Sequence, residues 1–284
     1  MNPKLALFAS TVALTTCVHV SDERSRRDEQ IGKAQTQGMS LEVSDGLAAI
    51  RELESGRLHL WAKAPLLEMH AHMSSAAPAS LTITIDNVLP DAVLEAVTSA
   101  GEPLAPMALD AARPTQKRWT LTLPQDVDTK LTVRPARGEP TAPWRFALLS
   151  DVQEAIDRVQ DIYGRMNADP AIEFVVSAGD LTTQGKPEQL ERFQHELESL
   201  RVPFFPTLGN HELGTDDGEP FQRWFGRANF RFFYGGLQFY VPRFGERHAR
   251  SSRVRLVDCL ARRRPRKGAC RLHAYSTDRP DWRT

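Results

Sequence analysis

Apolar and polar positions divide this chain into two textures. Across residues 41–138, short runs alternate with period two between breaks rich in Pro, Gly and Asp: Leu58-His59-Leu60-Trp61, Leu67-Glu68-Met69-His70, Leu81-Thr82-Ile83-Thr84-Ile85, Trp119-Thr120-Leu121-Thr122-Leu123 and Leu131-Thr132-Val133. A pleated strand turns every second side chain to one face, so each run predicts a half-buried strand. Several such strands with turn-rich connections predict a small β-sandwich. Glu68, His70 and His72 fall on one face of a strand and invite a metal reading. The solvated face of a half-buried strand looks the same and is the simpler account.

Beyond a linker at Arg137-Gly138-Glu139-Pro140-Thr141-Ala142-Pro143, with a boundary near Glu139, the period changes. Arg145-Phe146-Ala147-Leu148-Leu149, Phe174-Val175-Val176 and Val202-Pro203-Phe204-Phe205-Pro206-Thr207-Leu208 are near-continuous apolar runs, the mark of strands buried on both faces. Between them Ile156, Val159, Ile162, Tyr163 and Met166 recur at helical spacing, predicting a helix over 154–167. Leu190, Phe193, Leu197 and Leu200 mark another, with Pro187 suited to its first turn. Strand and helix alternate, which predicts a parallel sheet with right-handed crossovers. Farther on, Phe230-Arg231-Phe232-Phe233-Tyr234, Gly235-Gly236 and Leu237-Gln238-Phe239-Tyr240-Val241 predict a hairpin with a two-residue glycine turn. Its aromatic residues fit core packing better than stacking on a substrate base.

The first residues look like an export signal: Lys4, an apolar run over 5–14, then Leu14-Thr15-Thr16-Cys17. Residues 1–17 resemble a bacterial lipoprotein signal, which implies lipidation at Cys17, anchoring to a membrane surface, and a periplasmic or cell-envelope location. Residues 18–40 are charged and poor in apolar positions and read as a polar tether.

With 284 residues, 41% hydrophobic and 25% charged, the chain is globular in composition and long enough for two domains. Zero net charge gives no global reason to expect a nucleic-acid partner. It conceals an asymmetry, because residues 243–284 hold 12 Arg, 1 Lys and 4 acidic residues, a charge of +9 against −9 for the rest. Three cysteines, Cys17, Cys259 and Cys270, are too few and too unevenly placed for a disulfide framework or a zinc knuckle.

Chemistry concentrates at the ends of the three apolar runs: Ser150-Asp151-Val152-Gln153, then Gly179-Asp180-Leu181-Thr182-Thr183-Gln184-Gly185, then Gly209-Asn210-His211-Glu212. From Asp151 to Asp180 is 29 positions and from Asp180 to Asn210 is 30, about one βαβ unit each. Ligands bind open α/β sheets at the carboxyl ends of the strands, so Asp151, Asp180 and Asn210 can converge there. Converging carboxylate and amide oxygens suit a divalent cation. Singly, each residue is as well explained as a helix cap or turn.

As an ordered set, these signatures resemble the first three motifs of the calcineurin-like metallophosphoesterases. The resemblance spans residues 144–241 and implies a four-layer α/β/β/α domain that hydrolyses phosphate esters with two divalent ions, manganese, iron or zinc. It assigns Asp151 and Gln153 to the first ion, Asp180 to a bridge and Asn210 to the second. His211 would stabilise developing charge or protonate the leaving group, and Glu212 would orient His211. Two departures stand out. Gln153 occupies a place where the family usually has a metal-binding histidine, and the family's later histidine ligands, including a Gly-His-x-His motif, are not found. The domain is therefore expected to be truncated, and residues 242–284, basic and without sheet periodicity, read as an aberrant tail produced by a frameshift or a misplaced gene end. The competing reading is a catalytically impaired lipoprotein with a degenerate metal- or phosphate-binding site.

Overall fold

The computed structural model describes residues 20–54, 56–75, 80–214 and 216–242, with side chains from residue 23. The expected signal with Cys17 and most of the basic tail lie outside the described residues. The first described element is helix α1 (Val20–Gln30), followed by strands β1 (Lys33–Gln35), β2 (Met39–Val43), β3 (Ala48–Glu54), β4 (Arg57–Ala62), β5 (Leu67–Met73), β6 (Ser80–Asp86), β7 (Ala92–Thr98), β8 (Pro103–Leu104), β9 (Met107–Leu109), β10 (Gln116–Thr122) and β11 (Asp128–Pro135). They form two sheets, in the orders β1-β2-β5-β11-β7-β8 and β3-β4-β6-β10-β9. All pairings are antiparallel except β4 with β6. Alternation decides which residues turn inward: Leu41, Met69, Leu94 and Leu131 from the first sheet and Leu60, Ile83 and Leu121 from the second enter one buried cluster. Glu68, His70 and His72 stay on the outer face of β5, where Lys130 and Asp128 pair with Glu68 and His72.

The second half continues with β12 (Arg145–Leu149), a 3-10 turn at Gln153–Arg158, α2 (Gln160–Ala168), β13 (Ile172–Ser177), α3 (Pro187–Glu196), β14 (Phe204–Pro206), α4 (Glu219–Phe225) and the hairpin β15 (Phe230–Tyr234) and β16 (Leu237–Val241). β12, β13 and β14 make a parallel sheet in that order. Its two faces feed different cores. Phe174, Val176 and Phe205 point into the cluster shared with the N-terminal sheets and the hairpin, whereas Val175 and Phe204 join Tyr163, Leu190, Phe193 and Phe225 beneath the helices. In the hairpin, Gly235 and Gly236 take φ of 57° and 75°, as a two-residue turn requires. Phe232 and Phe239 stack at 4.8 Å inside the core.

Four expectations change. The helix expected over 154–167 is interrupted after Arg158, and Ile162 is exposed, because the segment begins as a 3-10 turn that rotates the apolar stripe. β12 is an edge strand among the described residues, and Leu148 is 50% exposed instead of buried. Residues 219–225, for which no element was expected, form α4. Most consequentially, the segment read as a tether contains α1, and β1 joins the first sheet. Arg24 is buried and pairs with Asp217 at 2.5 Å. Arg27 donates to Asp217 and to Gln222, and Asp28 accepts from Gln222 and Ala228. These charges are not a solvated run, because they clamp the loop between Glu212 and α4.

The two halves also meet through a buried charge network. Asp86 at the end of β6 accepts from His59 (2.7 Å), Arg113 (3.0 Å) and Gln116 (2.8 Å), with Arg51 3.8 Å away, and Arg113 reaches across to Glu198. Arg51 itself lies over Trp61 at 4.5 Å and donates to Trp224 O at 2.7 Å. Burial pushes the Asp86 carboxyl up, but hydrogen bonds from His59 and Gln116 and the nearby positive charges outweigh it and hold it below the usual value.

Candidate active site

Each parallel strand ends in a short loop, and the loops are stitched together. Asp151 N donates to Gly179 O and Gln153 N to Asp180 O, both at 3.3 Å, while His211 N donates to Asp180 Oδ1 at 3.0 Å. Glycine permits this closeness: a Cβ on Gly179 would lie 2.5 Å from Gly209 N, and one on Gly209 would lie 2.2 Å from both Asp180 N and Oδ1. Asp151, Gln153 and Asp180 take φ of 57°, 43° and 55°. Asp visits this left-handed region readily; a glutamine there is uncommon, and such strain gathers at functional sites.

Glu212 is the hub. Its carboxylate is fully buried and accepts from Asp180 N (2.9 Å), Gly209 N (3.1 Å), Thr182 N (2.8 Å) and Thr182 Oγ1 (3.0 Å). Burial pushes its carboxyl up, the Thr182 amide opposes this, and the Asp180 charge pushes the same way as burial. Glu212, expected to orient His211, directs these four hydrogen bonds to the loops after β13 and β14. His211 is instead oriented by Thr183, whose carbonyl lies 2.8 Å from Nδ1. A carbonyl only accepts, so Nδ1 carries the proton and Nε2 is left for chemistry. The sequence reading missed Thr182 and Thr183; their place in the Gly179 to Gly185 signature was the available signal.

Asp151 and Asn210 are exposed, and Gln153, Asp180 and His211 half-buried, so the stitched loops present them at one sheet edge. One Asp180 oxygen serves the His211 amide, leaving Oδ2 for a ligand. With these observations in place, comparison with known proteins finds two partial similarities. Residues 145–264 match the calcineurin-like phosphoesterase family. The matched phosphoesterase segment runs through the first part of the basic region. A protein of Xenorhabdus bovienii (strain SS-2004) named as a probable cyclic nucleotide phosphodiesterase is 32% identical over 65 residues. That similarity covers 23% of this chain and 24% of the relative, so the chain spans about a quarter of that relative's length.

The family uses divalent metals, and the donor chemistry can be tested against that. Among the described residues, no group of three or more His, Cys, Asp or Glu side chains is placed to hold an ion. The strand-end loops offer two carboxylates, Asp151 and Asp180, with amide oxygens from Gln153 and Asn210. This all-oxygen set, on loops that glycine lets approach closely, fits one hard divalent cation. Two ions would need further donors. No helix of the described residues is long and apolar enough to cross a membrane.

Proposed function

We propose that the protein hydrolyses phosphate esters with the help of a divalent cation held by Asp151, Asp180, Asn210 and Gln153. The observation that supports the reading is the hydrogen-bonded junction of the three strand-end loops, on which these four residues and His211 lie. When bound, the cation supplies positive charge to the phosphate oxygens and acidifies bound water. The chain supplies the rest. Glu212 and Thr182 fix the loops, so the donors need little reorganisation during reaction. His211, its Nδ1 proton held against Thr183 O, stabilises charge or delivers a proton from Nε2 to the leaving oxygen. The name of the Xenorhabdus relative makes a phosphodiester the first substrate to try. Purified protein with manganese or magnesium and an aryl phosphodiester should turn over, and Asp180→Ala should abolish it. Metal stoichiometry, one or two ions per chain, tests the two-ion centre that the resemblance implies.

The sparse donor set favours a second reading, a folded protein that binds a cation or phosphate without turnover. Absence of hydrolysis under every divalent metal, with binding retained, would support it. For architecture, we read the N-terminal sheets as a β-sandwich packed on the phosphoesterase unit; the expected four-layer arrangement needs a second sheet larger than the β15–β16 hairpin. Export with lipidation at Cys17 rests on the sequence pattern, and palmitate labelling lost in Cys17→Ala tests it.

A further inference from the structure

We propose that Asn87 and Lys63, on the N-terminal sheets, are positioning residues that hold β14 and thereby the Gly209 to Glu212 loop. The proposal rests on the hydrolase reading only for its activity arm. Among the described residues β14 is the outer strand of the parallel sheet, with β13 on one side. On its free side stands Asn87, whose amide treats Phe204 as a neighbouring strand would: Oδ1 accepts from Phe204 N (2.7 Å) and Nδ2 donates to Phe204 O (2.8 Å). The same Nδ2 donates to Ala62 O at 2.8 Å, tying β14 to the end of β4. Asn87 is buried and left-handed, with φ of 65°, a conformation that asparagine tolerates better than most residues.

Two residues farther along β14, the fully buried Lys63 donates to Pro206 O, and its ammonium lies 4.9 Å from the Phe221 ring and 4.6 Å from the Phe230 ring. Burial drives its pKa well below the usual lysine value, with Asp28 opposing. Burying this group is costly and the rings offset only part of that cost, while its hydrogen bond fixes Pro206 O against the N-terminal half. Thr207 then donates to Ala228 O at 2.6 Å, and Gly209, Asn210 and His211 follow. Among the described residues, the backbone ties on the free side of Phe204 and at Pro206 O therefore come from the N-terminal half, through these two side chains.

The test uses the full chain with Asn87→Gly, which keeps the left-handed backbone available, and Lys63→Met, which keeps the stem and removes the ammonium. Three readouts are needed: amide exchange over 204–212 against β5 and β11 as internal reference, the His211 ring signal in NMR, and manganese affinity with turnover. The proposal expects exchange over 204–212 to quicken at least tenfold in each variant while β5 and β11 hold, a shifted His211 signal, and a fall in kcat greater than any change in KM. Unchanged exchange and an unchanged His211 signal in Lys63→Met overturn it, and that variant decides alone if Asn87→Gly does not fold. If the wild type shows no turnover, the hydrolase reading fails, whereas exchange and the His211 signal still judge the positioning claim.

Discussion

Replacing Glu212 by glutamine tests the loop junction at its centre. The carboxylate accepts four hydrogen bonds, two at each oxygen. Glutamine keeps the shape but turns one oxygen into an NH2 group; placed at the Thr182 side, that group can donate to the Thr182 hydroxyl, but the Thr182 amide loses its acceptor and faces another donor. Hydrogen bonds to a charged acceptor contribute about 1.5–3 kcal/mol each; one is lost and the others weaken to bonds with a neutral acceptor. Part of that loss is offset because a neutral amide is cheaper to bury than a carboxylate. The net expectation is a destabilisation of about 2–4 kcal/mol, a large share of the 5–15 kcal/mol, roughly, that holds a typical domain together. Urea unfolding followed by the fluorescence of Trp61, Trp119, Trp144 and Trp224 measures it, and amide exchange at Asp180, Thr182 and Gly209 locates it. A shift in stability below about 0.5 kcal/mol, within the range of an ordinary surface substitution, would refute the assignment of Glu212 as the hub.

Other outcomes follow from the same geometry. The folded-state pKa of Asp86 lies below the ordinary 3.8, so its stabilising contribution is complete above that value and is lost as pH falls through the depressed one; Asp86→Asn should flatten the acid limb of a stability profile, and an unaltered limb counts against the network. Gln153→His should restore a nitrogen donor and raise zinc affinity roughly tenfold by calorimetry; no change would mean that the Asp151 loop does not reach the cation. A chain limited to residues 140–242 should lack cooperative unfolding in circular dichroism, because Phe174, Phe205, Phe232 and Phe239 lose the core they share with the N-terminal sheets. A sharp two-state melt from that fragment would contradict the shared core.

Local signals made much of this legible. The Phe174 to Val176 run and the Phe204-Phe205 pair declare strands buried on both faces, and Gly235-Gly236 declares its turn, because period and glycine report on neighbours within a few residues. The strand-end signatures could be read for the same reason. What escaped depends on partners far along the chain. Asp28 and Arg27 look solvated until Gln222 and Asp217, about 190 residues on, receive them. Lys63 drew no expectation from its neighbours, and the fold buries it completely. Leu148 was misplaced because an apolar run does not say how many strands flank it. Glu212 sits where a histidine-orienting partner was expected, and only the loop geometry reveals that its contacts are backbone amides and the Thr182 hydroxyl.

The central claim is that the junction of Asp151, Asp180, Asn210 and His211 is a hydrolytic centre. The most direct measurement is hydrolysis of bis(p-nitrophenyl) phosphate by the full-length protein across a manganese titration, with Asp180→Ala and His211→Ala alongside. The account predicts saturable, manganese-dependent turnover that Asp180→Ala abolishes, with His211→Ala lowering kcat by about 100-fold or more, as expected for loss of general acid catalysis. A folded wild type that binds manganese yet turns over no faster than Asp180→Ala would contradict it.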